Sequence, residues 1–132
     1  LECRHLYAMG GRMATILLAD DDAAVRELVK RALTAEGHTV HVTQDGSEAL
    51  DVLNASGGAI DVLVSDVDMP GLDGVSLAMQ VQAAKPAIAI VLMSGFSDQL
   101  ERSKALSQER LKSITKPFTL DQIKQAVRAV MR

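Results

Sequence analysis

Ala14-Thr15-Ile16-Leu17-Leu18-Ala19-Asp20-Asp21-Asp22 sets a short apolar run, without helical spacing, against three consecutive aspartates. The run reads as a β-strand buried on both faces, closed abruptly by its acidic end. Directly afterwards the pattern changes. Val25, Leu28, Val29, Ala32 and Leu33 recur at i, i+3, i+4, i+7 and i+8, Asp22 offers an N-cap carboxylate, and Gly37 supplies a stop. This spacing predicts an amphipathic helix.

The same alternation repeats along the chain. Further strands are predicted at Thr39–Thr43, Asp61–Ser65, Ile88–Met93 and Leu111–Thr115, and further helices near Gly46–Ala55, Gly74–Ala84, Asp98–Leu106 and Leu120–Met131. Leu120, Ile123, Val127 and Val130 form a clear stripe on the last helix. The helix before it is poorly anchored, because Gln99 to Arg110 is polar with only Leu100, Ala105 and Leu106 to bury. Near-continuous apolar strands alternating with helices imply a parallel sheet covered on both faces, joined by right-handed crossovers. The expected fold class is α/β, a doubly wound five-stranded parallel sheet.

Composition narrows the function classes. With 132 residues, 48% hydrophobic and 23% charged, the chain is sized and composed for one globular domain. Its net charge of -3 and lack of a Lys/Arg stripe argue against direct nucleic-acid binding. Cys3 is the only cysteine, which excludes an intrachain disulfide and a thiolate cluster and suits a cytoplasmic setting. No apolar run approaches the ~18 residues of a membrane span. Residues 1–12 have no clean period and end in Gly10-Gly11-Arg12. They are expected to be an added or disordered N-terminal extension, with the domain occupying 13–132.

In open α/β sheets the functional site lies at the carboxyl ends of the strands. There the predicted strands deliver Asp20 and Asp21, Asp66, Ser94 and Lys116. Three crowded carboxylates call for a hard cation with oxygen ligands, and Mg²⁺ fits best. Such an ion takes one or two carboxylates and leaves one aspartate to act as a nucleophile toward phosphorus. Asp66 suits that role, since the turn-rich Met69-Pro70-Gly71-Leu72-Asp73-Gly74 keeps its carboxylate accessible above the sheet. Asp20 and Asp21 then hold the metal. Lys116 supplies a point charge and Ser94 a hydroxyl donor for the phosphoryl oxygens. Elsewhere, Asp22 and Asp73 read as helix caps, His38 and His41 as exposed or edge histidines, and Phe96 and Phe118 as packing residues.

Four motifs follow in order, each at a strand end: Ile16-Leu17-Leu18-Ala19-Asp20-Asp21-Asp22, Asp66-Val67-Asp68-Met69-Pro70-Gly71-Leu72-Asp73-Gly74, Met93-Ser94-Gly95 and Thr115-Lys116-Pro117-Phe118. In these the chain resembles the response-regulator receiver family over nearly all of 14–131, most closely its stand-alone cell-cycle receivers and the receivers at the ends of hybrid histidine kinases. The resemblance implies a flavodoxin-like, CheY-like sheet of strand order 2-1-3-4-5. It implies Asp66 as phosphoacceptor, Asp21, Asp66 and the Asp68 backbone carbonyl as direct Mg²⁺ ligands, and Asp20 acting through a metal-bound water. It also implies a cis Lys116-Pro117 bond, a histidine kinase or histidine phosphotransfer protein as donor, an output protein as partner, and a monomer or weak dimer.

One departure stands out. Chemotaxis-type receivers carry an aromatic residue three positions before the lysine, and here that position is Ser113. Two other readings stay open: a receiver that binds partners without phosphorylation, and a phosphohydrolase of the haloacid-dehalogenase kind using Asp66-Val67-Asp68. Against the latter, Pro70 stands where that superfamily has Thr or Val. A dinucleotide-binding domain fails because no Gly-x-Gly-x-x-Gly follows the first strand.

Overall fold

The computed structural model describes residues 13–95 and 101–131. The extension expected at 1–12, Phe96, and the start of the helix expected near Asp98–Leu106 lie outside the described residues.

Five parallel strands form one sheet in the order β2-β1-β3-β4-β5, as expected. They are β1 (Thr15–Ala19), β2 (Thr39–Thr43), β3 (Val62–Asp66), β4 (Ala89–Ser94) and β5 (Leu111–Thr115). The helices are α1 (Ala23–Ala35), α2 (Gly46–Ala55), α3 (Gly74–Ala84) and α4 (Leu120–Val130). Between β4 and β5, residues 101–103 are helical and Leu106 is buried.

Side-chain alternation divides the core into two layers. Leu17, Ala19, Leu63, Ile90 and Leu92 point to the α2 and α3 side, where they meet Leu53, Leu77 and Val81. Ile16, Leu18, Val62, Val64, Val91 and Met93 point to the other side and meet Val29, Leu33, Ile123 and Val127 of α1 and α4. Each fully buried Leu or Ile contributes about 1.5–3 kcal/mol. The three central strands therefore anchor the fold and everything attached to their ends.

The structure differs from the sequence expectations at the sheet's margins. Only the central strands are covered on both faces. β2 buries Thr43 alone and β5 buries Leu111 alone, because an edge strand has one neighbour and only partial helical cover. β3 and β4 run one residue later than predicted, so Asp66 and Ser94 belong to the strands themselves. Asp61 instead precedes β3 and accepts the Thr15 N–H through Oδ2 at 2.8 Å. On the helices, Leu28 is 47% exposed and Leu120 is 39% exposed, so the apolar stripes are narrower than their periodicity suggested. α4 ends at Val130 with Met131 as its C-cap, and opens with a capping box between Thr119 and Gln122.

His38 is buried rather than exposed. Its Nδ1 accepts the Ala14 N–H at 3.0 Å, which joins the entrances of β1 and β2. Burial holds its pKa below the usual histidine range; Glu36 opposes the shift and Arg128 reinforces it. Arg128 itself clasps Glu36 at 2.6 and 2.8 Å, tying the end of α4 to the end of α1.

A histidine kept neutral in the fold takes up its proton first in the unfolded chain, so its contribution is complete above the unfolded pKa and is lost as pH falls below it. His38→Asn keeps an acceptor at the place of Nδ1 and removes the titration. Between about pH 7.5 and about pH 5.5 the urea midpoint of the wild type is expected to fall relative to that of the variant. Midpoints that moved in parallel would contradict a buried neutral histidine.

Candidate functional site

The carboxyl ends of β1, β3, β4 and β5 converge because neighbouring strands are in register. Ala19 pairs with Ser65, Asp66 with Met93, and Ser94 with Thr115. The residues that follow or end these strands therefore share one rim of the sheet.

Asp20 is fully buried and Asp66 is 3% exposed, while Asp21 beside them is exposed. One carboxylate oxygen from each of the three lies within 4.8 Å of the others. The Lys116 ammonium reaches in from the end of β5, 3.3 Å from Asp66 Oδ1 and 3.6 Å from Asp20 Oδ2. The Lys116-Pro117 peptide bond is cis. Ser94 is fully buried at the end of β4, and its carbonyl accepts the Lys116 N–H at 2.8 Å.

Burial and the neighbouring Asp20 charge push the Asp66 carboxyl up to about 6, against the pull of Lys116 and of the Asp68 N–H. Burial likewise raises Asp20, although its Oδ1 accepts the Asp22 N–H at 2.8 Å and Lys116 also favours its anion. Burial opposes the charge of Lys116, but Asp20 and Asp66 outweigh it and raise the ammonium's pKa. One lysine thus faces two desolvated carboxylates and a third within reach, which leaves negative charge uncompensated.

Asp20 Oδ2 carries that imbalance most plainly. It is buried with no hydrogen-bond partner among the described residues, and Lys116 stays just beyond hydrogen-bond distance. Buried carboxylate oxygens ordinarily find a donor or a cation. An all-oxygen donor set with an orphaned anionic oxygen fits a small hard divalent ion.

The segment after β3 keeps the Asp66 carboxylate at the rim. The Val67 N–H donates to the Met93 carbonyl at 2.9 Å, and the Gly74 N–H returns to the Val67 carbonyl at 2.9 Å. The Asp68 N–H donates to Asp66 Oδ1 at 3.3 Å. Gly71 turns the chain with φ +74°. Asp73 then caps α3 by accepting the Ser76 N–H at 2.9 Å.

The site residues expected from sequence lie on this rim: Asp20, Asp21, Asp66 and Lys116 as one charged group, Ser94 one strand position beyond Asp66's partner, and Asp68, expected to contribute its backbone carbonyl, meeting Asp66 through its N–H. Gly46 and Arg26 were not anticipated, and Gly74 was read only as part of the turn-rich segment after Asp66. A Cβ on Gly74 would overlap the Asp66 carbonyl, and one on Gly46 would overlap the Leu72 carbonyl, so both glycines let backbone press against the loop after Asp66. A glycine at the start of a helix, a poor position for helix propensity, is the signal that could have marked them. Arg26 donates through Nη1 to the Asp20 carbonyl at 2.7 Å, a contact that periodicity does not reveal.

Comparison with known proteins agrees with this geometry. Residues 16–128 match the family model of the response regulator receiver domain. The chain is 35% identical over 118 residues to the sensor kinase CckA of Brucella abortus, covering 89% of this chain and 12% of that protein. It is 35% identical over 117 residues to the response regulator MprA of Mycobacterium sp. strain KMS, covering 89% of this chain and 50% of that protein. The chain therefore spans half or less of these curated relatives. Among solved structures, the response regulator TrrA of Thermotoga maritima, in complex with Mg²⁺-BeF, superposes with a TM-score of 0.78 at 29% identity, covering 89% of this chain and 99% of that one.

Gly74 offers a test with opposing signs. Helix propensity alone favours alanine there by up to about 1 kcal/mol. Overlap with the Asp66 carbonyl is expected to dominate, so that Gly74→Ala destabilises the fold by about 1–3 kcal/mol in urea unfolding. A stabilised variant would contradict the close approach.

Proposed function

This chain is a member of the response regulator receiver domain family, and from that premise we propose that Asp66 is its phosphoacceptor in a two-component or phosphorelay system. The observation that carries the reading is the 3.3 Å ion pair of Lys116 with Asp66, a buried strand-end carboxylate that shares its pocket with Asp20 and Asp21.

Receiver domains bind Mg²⁺ at their acidic pocket, and the donor set described above fits that ion. Asp21, Asp66 and the Asp68 backbone carbonyl are its proposed direct ligands, with Asp20 acting through a bound water. When bound, the ion supplies positive charge against the phosphoryl oxygens and favours the anion of Asp66. The complex of TrrA with Mg²⁺-BeF supports the same loading here.

The remaining steps belong to the chain's own residues. An Asp66 carboxylate oxygen attacks the phosphorus of a phosphohistidine, a new O–P bond forms, and the N–P bond to the donor imidazole breaks. Lys116 neutralises charge on the phosphoryl group, and the Ser94 hydroxyl donates to one of its oxygens. Holding Asp66 within a ladder strand, with its loop locked by Gly74, presents the nucleophile without reorganisation. Water attack on the acyl phosphate returns the free carboxylate and inorganic phosphate. Self-phosphorylation from small phosphodonors and this autodephosphorylation are the only turnover expected.

The proposed donor is a histidine kinase or a histidine phosphotransfer protein, and the signal passes by protein contact to an output protein. Among the described residues no helix is long and apolar enough to cross a membrane.

Intact-mass measurement after incubation with acetyl phosphate is the direct test. One phosphoryl adduct is expected on the wild type with Mg²⁺, none with EDTA, and none on Asp66→Asn. An adduct of equal yield on Asp66→Asn would remove Asp66 from this role, and no adduct on the wild type would favour binding without phosphorylation.

A further inference from the structure

Asp20 has four polar atoms, and three of them are tied to protein. Its N–H donates to the Thr43 carbonyl at 3.2 Å, extending the β1–β2 ladder by one residue. Its Oδ1 accepts the Asp22 N–H at 2.8 Å. Its carbonyl oxygen lies past the last residue of β1, where the chain leaves the ladder, and accepts Arg26 Nη1 at 2.7 Å. A carbonyl in a fully buried residue is costly to leave without a donor, so this bond replaces the missing ladder partner.

Arg26 holds the turn at two points. Its own N–H donates to the Asp22 carbonyl at 2.9 Å, closing the first turn of α1. Its guanidinium reaches back over that turn to Asp20. The stretch from Asp20 to Arg26 is thereby closed on itself, with Asp22 capping Ala24 and Val25 inside it at 2.9 and 3.3 Å.

Asp21 lies within that closed stretch. It is exposed, and among the described residues no hydrogen bond or ion pair holds its carboxylate, yet an oxygen of that carboxylate lies within 4.8 Å of oxygens of both Asp20 and Asp66. With no partner of its own, the carboxylate is placed only as far as its backbone places the Cα–Cβ bond it hangs from. The carbonyl that Arg26 grips belongs to the same rigid peptide plane as the Asp21 nitrogen.

We propose that Arg26 is a positioning residue of the acidic pocket: by holding the Asp20 carbonyl it fixes the Asp20-Asp21 peptide and aims both carboxylates at the point they share with Asp66. Arg26 acts through the backbone. The nearby cation that faces the carboxylates is Lys116. The inference rests on the reading of the pocket as a Mg²⁺ site.

Mg²⁺ alone, titrated into the full chain and followed through the NMR amide shifts of Asp21 and Asp66, gives an affinity that needs no phosphodonor. Groups that orient ligands without touching the metal typically carry 10–100-fold in affinity, so Arg26→Gln is expected to bind Mg²⁺ about tenfold more weakly than the wild type. Arg26→Lys, which keeps one donor but loses the planar fork, is expected to fall between them at about threefold weaker.

Urea unfolding in EDTA separates this role from plain stabilisation. A variant that loses stability but, once folded, binds Mg²⁺ with wild-type affinity overturns the proposal, as do equal affinities in all three proteins. If Arg26→Gln does not fold, Arg26→Lys decides, and an unchanged affinity there overturns it. A wild type that takes up no Mg²⁺ refutes the cation pocket itself along with the inference, an outcome distinct from a wild type that binds while its variants bind equally well.

Discussion

The Lys116 ammonium, set between the buried carboxylates of Asp66 and Asp20, is the interaction on which the site depends. Burial raises the pKa of both carboxylates, and at Asp66 the neighbouring Asp20 charge adds to it. One lysine holds them together without neutralising them, and Asp21 adds a third charge within reach. The apolar layers of β1, β3 and β4 are what make this arrangement tolerable. Ile16, Leu17, Leu18, Leu63, Ile90, Leu92 and Met93 are fully buried, so the strand ends are fixed well enough to hold groups that would otherwise move apart. Stability gained in the middle of the sheet offsets electrostatic frustration at its rim. A cation or a phosphoryl group with its counter-charges changes that balance locally, which is what a signalling site requires.

Much of this was legible in the sequence because it follows from periodicity and from strand ends. The apolar run before Asp20-Asp21-Asp22, the helical spacing from Val25 to Leu33 and the repeated alternation identify a doubly wound sheet, and the rule that sites gather at carboxyl strand ends selects Asp20, Asp66, Ser94 and Lys116. The caps were legible too, since Asp22 and Asp73 are short acids placed just before helical patterns. The boundary of β3 was one residue early because Asp61 was counted into it, whereas its carboxylate is engaged by Thr15, and that of β4 because Ile88 is apolar, whereas its N–H turns back to the Lys85 carbonyl at 3.1 Å.

What could not be read was set by contacts between residues distant in sequence or by unequal cover. His38 shows nothing local to indicate burial; it is enclosed because the entrances of β1 and β2 meet there, through a bond spanning 24 positions to Ala14. Leu28 and Leu120 carry the right spacing and stay exposed, since periodicity reports a face but not how much of that face the neighbouring layer covers. β2 and β5 read as strands but not as edges, because edge position is a property of topology. Gly46 and Gly74 are functionally placed only through the Leu72 and Asp66 carbonyls that press on them.

The exposed edge at β5 gives Lys116 a second setting. The same residue that faces Asp66 also lines a groove of about 650 Å³ between β5 and α4, together with Ser113, Thr115, Gln122, Gln125 and Ala126. At position 113 a serine leaves this groove without a ring to fill it, and Ala126 and Ala129 keep its helical wall low. One wall of a surface groove is therefore the same residue that pairs with Asp66, with no intervening side chain between them. Because Ser94 and Thr115 are paired across the ladder and the Lys116 N–H donates to the Ser94 carbonyl, the ends of β4 and β5 are joined by backbone beside this groove.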